Sequence, residues 1–353
     1  MLVFLLGCVA FFFTYVGPSL AGETNIRFDA DGATYLEIAG MGSATAAPFD
    51  SPLISTSSNF LGPVLIALIF RSSWGIALFN MSVFGLSLYL ASRLPSLRLG
   101  SLFFLLVANL ITISALLTLN KEILALFSCV LFITYLSSRK RSKLLLVTIV
   151  VVSLMARWEQ LAVILLFLAL EHRLSPLRGK HALTLVLIVL GITVTYPVLA
   201  TSTAIDLRNA VAYADQGNLG SKLNAVEAAY GFPLVLLPKM LVGLFWHILT
   251  PWYYFSEYFK NDFHDIYVSI VLESHCFMML IVCIACAVNK KLSLSNPAIY
   301  WAAIYLILSS AFPVMMPRYQ YPVYVMLCMV LSGFALPSPP SVKVEGRLRG
   351  RFI

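Results

Sequence analysis

The chain has 353 residues, 60% of them hydrophobic and only 11% charged, and its mean hydropathy is +0.89. A water-soluble chain carries about a quarter of its residues as Asp, Glu, Lys and Arg, so the composition excludes a soluble globular domain and predicts a polytopic membrane protein. The net charge of +8 does not mark a nucleic-acid binder, because the basic residues fall in short loops between apolar runs.

About 20 apolar residues are needed to cross ~30 Å of hydrocarbon. The first apolar run, 1–18, lacks the Lys or Arg of a secretory leader, although Ser19-Leu20-Ala21 loosely resembles a cleavage site, and it reads as an uncleaved helix. An outer loop at about 22–59 follows and contains DADGATYL at 29–36. Further apolar runs lie at 73–92, 99–119, 122–137, 143–156, 159–171, 181–200, 266–288, 297–315 and 320–337. The fold class expected is an all-α polytopic transmembrane helical bundle of about ten spans, with extracytoplasmic interfacial helices. It forms one transmembrane domain over 1–337, followed by a basic cytoplasmic tail at 338–353.

Two runs fit the thread differently. The stretches 60–70 and 233–250 are short or interrupted, the second by Pro233, Pro238, Lys239 and His247, and read as interfacial or re-entrant helices. The runs 143–156 and 159–171 are each too short to cross alone. They predict a broken hairpin whose tip, Arg157-Trp158-Glu159, stops in the outer half of the membrane, where a charged break is tolerated if it lines a watered cavity.

The outer stretch 201–265 is polar from Asp206 to Tyr230. It then carries an aromatic band, Phe245-Trp246-His247 and Pro251-Trp252-Tyr253-Tyr254-Phe255, which reads first as an interfacial belt. Its alternative use is contact with a sugar or acceptor, through Trp252 and His247.

Sidedness follows from charge. Arg93, Arg98, the basic run 138–143, the loop 172–180, Lys290, Lys291 and the tail place 15 of the 24 Lys and Arg on one face, with only Glu171 and Glu345 as acidic company. The positive-inside rule makes that face cytoplasmic, with both termini on it. The six cysteines all lie in apolar runs and read as small apolar residues without a disulfide framework. Glu273 and His275 fall on different faces of one helix and make a poor metal pair.

The remaining polar clusters thread to the opposite, outer face: Asp29 and Asp31, Asn120-Lys121-Glu122, Arg157-Trp158-Glu159, and Met316-Pro317-Arg318-Tyr319-Gln320. Ionisable groups at such depths are costly and point to function. Lys121, Arg157 and Arg318 suit a phosphate or pyrophosphate, with Arg offering a two-pronged fork. A carboxylate nearby can take a proton from a hydroxyl or hold a divalent cation, Mg or Mn, through hard oxygen ligands. No P-loop, HExxH or GxSxG is present.

These motifs resemble the GT-C superfamily of membrane glycosyltransferases. Asp31, Tyr35 and Ala39 are similar to an Asp-x-x-x-Tyr-x-x-x-Ala pattern in the first outer loop of that superfamily. Lys121-Glu122 resembles the Lys-Glu pair at the mouth of a later helix, and Arg318-Tyr319-x-x-Pro322 a late Arg-Tyr-x-x-Pro element. The first loop departs from a common family form, carrying Asp-Ala-Asp in place of adjacent Asp-Glu.

The resemblance implies a bacterial surface-polysaccharide enzyme in the cytoplasmic membrane, with its site facing outward. It would move a sugar or glycan from a polyprenyl-(pyro)phosphate donor to a glycan, lipid or protein acceptor, with inversion. Asp31, then Asp29, would be the general base; Lys121, Arg157 and Arg318 would hold the lipid phosphate. Glu122, Glu159, Tyr35 and Tyr319 would support them. A polysaccharide polymerase of similar architecture and a lipid-linked-sugar flippase or transporter remain the alternatives.

Overall fold

The computed structural model describes residues 7–10, 61–138, 142–200, 219, 222–249, 264–312 and 316–334. Among them every regular element is helical. In chain order these are α1 (Leu61–Phe70), α2 (Ser73–Ser92), α3 (Leu99–Val107), α4 (Leu110–Leu117), α5 (Glu122–Ser137), α6 (Lys143–Ala156), α7 (Trp158–Leu170), α8 (His181–Ala200), α9 (Phe232–Leu249), α10 (His264–Val288), α11 (Pro297–Ser310), a 3-10 turn (Pro317–Gln320) and α12 (Tyr321–Leu331). A further helical stretch, 222–230, precedes α9.

The apolar runs that fall within the described residues become helices at nearly the same bounds, because a helix satisfies its whole backbone within one segment; the first run, 1–18, lies outside the described residues apart from 7–10. Their lengths qualify the ten-crossing expectation. Among the described residues two helices, α2 and the 270–288 part of α10, are long and apolar enough to cross a membrane unaided. A third crossing results if α3 and α4 count as one. The other apolar helices, counting α8 over His181–Thr195 and α9 over Phe232–Ile248, have 10–17 residues.

The largest difference from expectation lies at 99–119, which is not one straight helix but two, bent by 82°. Ala108 closes the first and Asn109 starts the second: the Asn109 side-chain oxygen accepts the Ile111 N–H at 3.0 Å, the geometry of a helix N-cap. Ser72, Ser142 and Asn296 cap α2, α6 and α11 in the same way, and Pro297 occupies the first turn of α11, where its missing N–H costs nothing.

Packing sorts the helices into core and rim. Helix α5 is buried on nearly every side and lies among α2, α4, α6 and α12, while α11 and α12 are similarly enclosed. A helix apolar all round is the sequence signature of such a position. The rim helices turn large apolar side chains outward, among them Leu78 and Leu86 on α2, Leu144 and Val147 on α6, Val186 and Val194 on α8, and Phe277 and Ile284 on α10. An apolar exterior of that extent is unfavourable in water and suits lipid.

One close approach fixes the start of α1. A Cβ at Gly62 would sit 2.1 Å from the Met155 carbonyl oxygen and 3.0 Å from Leu124. The first turn of α1 therefore lies against the ends of α5 and α6 where Glu122 and Arg157 are found.

Candidate functional site: a cation cluster on Tyr319

Three breaks in the helical pattern meet at one place. The start of α5 brings Lys121 and Glu122; the α6/α7 junction brings Arg157 and Glu159; the 3-10 turn before α12 brings Arg318 and Tyr319.

Arg157 closes α6 and opens α7 with an extended backbone, φ −158° and ψ 124°. Its N–H still bonds the Ser153 carbonyl at 2.7 Å and its own carbonyl accepts the Leu161 N–H at 3.2 Å, so the break costs little hydrogen bonding. This is the charged tip expected at 157–159, and its side chain is buried, 3% exposed.

A buried guanidinium needs a counter-charge. Arg157 Nη2 donates to Glu122 Oε1 at 2.5 Å, and both side chains are nearly inaccessible. One turn further along, Gln160 Nε2 donates to the Ala125 carbonyl at 3.1 Å and contacts Cys129 Sγ at 3.3 Å, while Ser128 and Ser153 share a 2.5 Å hydrogen bond. These rungs lock α5, α6 and α7 together directly behind the ion pair. Arg157 Nε, Glu122 Oε2 and Gln160 Oε1 are buried without a hydrogen-bond partner among the described residues.

The centre of the cluster is the Tyr319 ring. The Arg157 guanidinium carbon stands 4.7 Å from its centroid, that of Arg318 5.5 Å and Lys121 Nζ 5.9 Å. The three cations that the sequence nominates thus surround one aromatic side chain, although they come from positions up to nearly 200 residues apart. Glu159 is close enough to act electrostatically on Arg157.

Like charges ~8 Å apart repel by about 2 kcal/mol at an effective dielectric near 20. A cation over an aromatic face recovers about 0.5–2 kcal/mol, and Glu122 and Glu159 offset part of the rest. Among the described residues the cluster thus gathers Lys121, Arg157 and Arg318 with Glu122 and Glu159, and Arg157 is paired with Glu122.

Tyr319 is held in place by its own backbone: Tyr305 Oη donates to the Tyr319 carbonyl at 3.0 Å, and Gln320 Nε2 to Ser309 Oγ at 3.0 Å. Helix α9 approaches the same turn at Gly243, where a Cβ would meet Gln320 Nε2 at 3.4 Å. If the ring acts as a cation platform, Tyr319→Phe should leave anion affinity within about twofold, since the phenol oxygen adds little to the quadrupole. Tyr319→Leu should lower it by about tenfold, the equivalent of one to two cation–π contacts. Lipid-phosphate binding to the purified protein measures both.

His247 lies on α9, 4% exposed, within electrostatic reach of His275 on α10 and thus on the α10 side of the turn. Asp29, Asp31, Tyr35 and Trp252 lie outside the described residues. Among the described residues no group of three or more His, Cys, Asp and Glu is arranged to hold a metal ion. Glu122 is already engaged by Arg157. All six cysteines are free.

Sequence reasoning missed two features. Lys239, read as an interruption of an interfacial helix, is buried in an ion pair with Glu227 that clamps the 222–230 stretch onto α9. The second is a polar seam through Asn109, Thr112, His275 and Tyr321, all fully buried. Asn109 in the middle of one apolar run and His275 within another were its advance signals. Compared with protein-family models, with curated proteins and with solved structures, the chain matches none.

Proposed function

We propose that the chain is a membrane glycosyltransferase of GT-C-like, roughly ten-crossing architecture that takes a sugar or glycan from a polyprenyl-(pyro)phosphate donor on the outer face of a bacterial cytoplasmic membrane. The single observation that carries this reading is the gathering of Lys121, Arg157 and Arg318 on Tyr319 at a junction of helix ends. A phosphate there would meet one compact cation and two forked ones, with charge-assisted bonds about twice as strong as neutral ones.

The contact of Gly62 with Met155 and Leu124 sets the start of α1 beside this cluster, and the first outer loop immediately precedes that helix in the chain, which supports assigning the loop's carboxylates to it. Asp31 then stands as the general base. It removes the proton from the acceptor hydroxyl as the oxygen attacks the anomeric carbon. The new glycosidic bond forms while the bond from that carbon to the phosphate oxygen breaks, and the lipid phosphate leaves with both electrons. The cations stabilise the charge developing on that oxygen. A single displacement of this kind inverts the anomeric centre.

A polymerase, in which the acceptor is also lipid-linked, uses the same chemistry. The transporter reading draws on a different observation, the 82° bend between α3 and α4, since broken helices line substrate sites in many transporters. The two separate cleanly: an enzyme cleaves the sugar–phosphate bond, whereas a transporter returns the lipid-linked sugar intact.

The test is transfer of labelled sugar from defined polyprenyl-phosphate donors by purified protein, with membrane extract as the source of acceptor. Arg318→Ala should raise the KM for donor about tenfold or more, the loss of one charge-assisted hydrogen bond of about 1.5–3 kcal/mol, with a smaller change in kcat. An unchanged KM would make Arg318 structural. Intact donor recovered from the opposite leaflet, with no cleavage, would overturn the enzymatic reading.

A further inference from the structure

A cation cluster can hold a phosphate, but it does not recognise what the phosphate carries. Beside the cluster the structure sets one large aromatic surface. Among the described residues Trp158 is the one exposed tryptophan, 36% accessible, whereas Trp246 and Trp301 are buried and Trp74 is half-buried. It opens α7 directly after Arg157. The break that buries Arg157 against Glu122 therefore leaves the next side chain accessible.

Two connections hold Trp158 at the rim of the cluster. Along the chain it adjoins Arg157, whose guanidinium carbon stands 4.7 Å from the centre of the Tyr319 ring. Across space its indole meets Phe312 edge to face, with centroids 6.0 Å apart and planes at 86°. Phe312 closes the end of α11 by donating its N–H to the Ser309 carbonyl at 3.2 Å. Ser309 Oγ in turn accepts from Gln320 Nε2 at 3.0 Å, and Gln320 directly follows Tyr319. The start of α7, the end of α11 and the 3-10 turn are thus joined, with the Trp158–Phe312 pair at the accessible edge.

A pyranose carries hydroxyls around its rim and C–H groups on its faces. Those C–H hydrogens are slightly positive and complement the negative face of an indole. A tryptophan braced by a second ring offers that face at little cost in side-chain entropy. A sugar joined to a phosphate at the cluster is tethered through a single oxygen, so it lies next to the cations, where the accessible aromatic surface is.

We propose that Trp158, braced by Phe312, is the donor-sugar platform: it stacks on the C–H face of the hexose whose phosphate the cations hold, and so favours a glycosylated lipid phosphate over one without a sugar. This assignment rests on the reading of the cluster given above and adds a specificity-determining residue to it. A tryptophan at headgroup depth also serves as a plain membrane anchor, but an anchor treats all lipid phosphates alike.

The experiment uses the full-length protein in nanodiscs and two kinds of lipid with the same single negative charge. One is polyprenyl monophosphate esterified to glucose, galactose or mannose; the other is the methyl ester of the same polyprenyl phosphate. The parent should bind at least one hexose lipid about fivefold more tightly than the methyl ester, the scale of one aromatic stacking contact. Trp158→Ala should lose about that fivefold on the hexose lipid and stay within about twofold on the methyl ester. Trp158→Phe, which keeps a smaller ring, should fall between parent and Trp158→Ala on the hexose lipid. An accessible side chain replaced by a good helix former leaves folding intact. An equal loss on both lipids, or no loss on any hexose lipid, overturns the platform and leaves the phosphate reading standing. A parent that binds neither kind of lipid overturns the function proposed above, and the platform with it.

Discussion

Asp31→Asn is expected to lower sugar transfer by about 10²–10⁴-fold, the range over which a positioned general base contributes, while the donor lipid still binds. The amide keeps the shape of the carboxylate and its capacity to accept one hydrogen bond, but it cannot take the acceptor's proton. Since the phosphate is assigned to Lys121, Arg157 and Arg318, donor affinity should change by less than about threefold, so the effect falls on kcat. Asp29→Asn, two residues away, should cost far less. Turnover rates and lipid binding measured side by side on the two variants decide the matter. Should both retain parental turnover, the base lies elsewhere; should Asp29→Asn alone be inactive, the two aspartates exchange roles.

Glu122→Ala is expected to be the most destabilising single change at the site, by about 3–5 kcal/mol, because it strands the Arg157 guanidinium in a buried position. Arg157→Ala should cost a similar amount for the mirror-image reason. The double replacement Glu122→Leu with Arg157→Met removes both charges at comparable volume, and such exchanges are often neutral or stabilising. Thermal unfolding in detergent should therefore rank the double variant near the parent and both single variants well below it.

The pair has a second part in the function proposed here, since Arg157 also stands 4.7 Å from the Tyr319 ring. The double variant should be folded but bind lipid phosphate at least tenfold more weakly, the loss of one charge-assisted hydrogen bond. A double variant that both folds and binds normally would reduce Arg157 and Glu122 to a structural clamp.

Helix positions were open to reading from the chain alone for a simple reason. In lipid a helix satisfies every backbone donor and acceptor within its own segment, so apolar runs become helices and most polar interruptions become ends, although Pro238 and Lys239 lie inside α9. The break at Arg157 belongs to this class: a charge inside two short apolar runs has no comfortable depth in an unbroken helix. The nomination of Lys121, Arg157 and Arg318 as partners rested on a related argument, that costly charges on one face of the membrane have a shared use.

What the linear order of residues could not supply is which groups touch. Tyr319 becomes the hub only when the 3-10 turn, the start of α5 and the α6/α7 junction pack together, and no spacing along the chain encodes that distance. The bend at Asn109 was hidden because its flanks are uniformly apolar; its cause is a side-chain cap plus a bond to His275, a contact between residues 166 positions apart. Lys239 misled for the same reason: a lysine in an apolar stretch reads as an interfacial interruption until its partner Glu227 is seen to be folded onto it. Composition and periodicity thus determined the elements, the environment and the candidate charges. Tertiary packing alone decided which charges meet, because pairing depends on distances that only the folded chain sets.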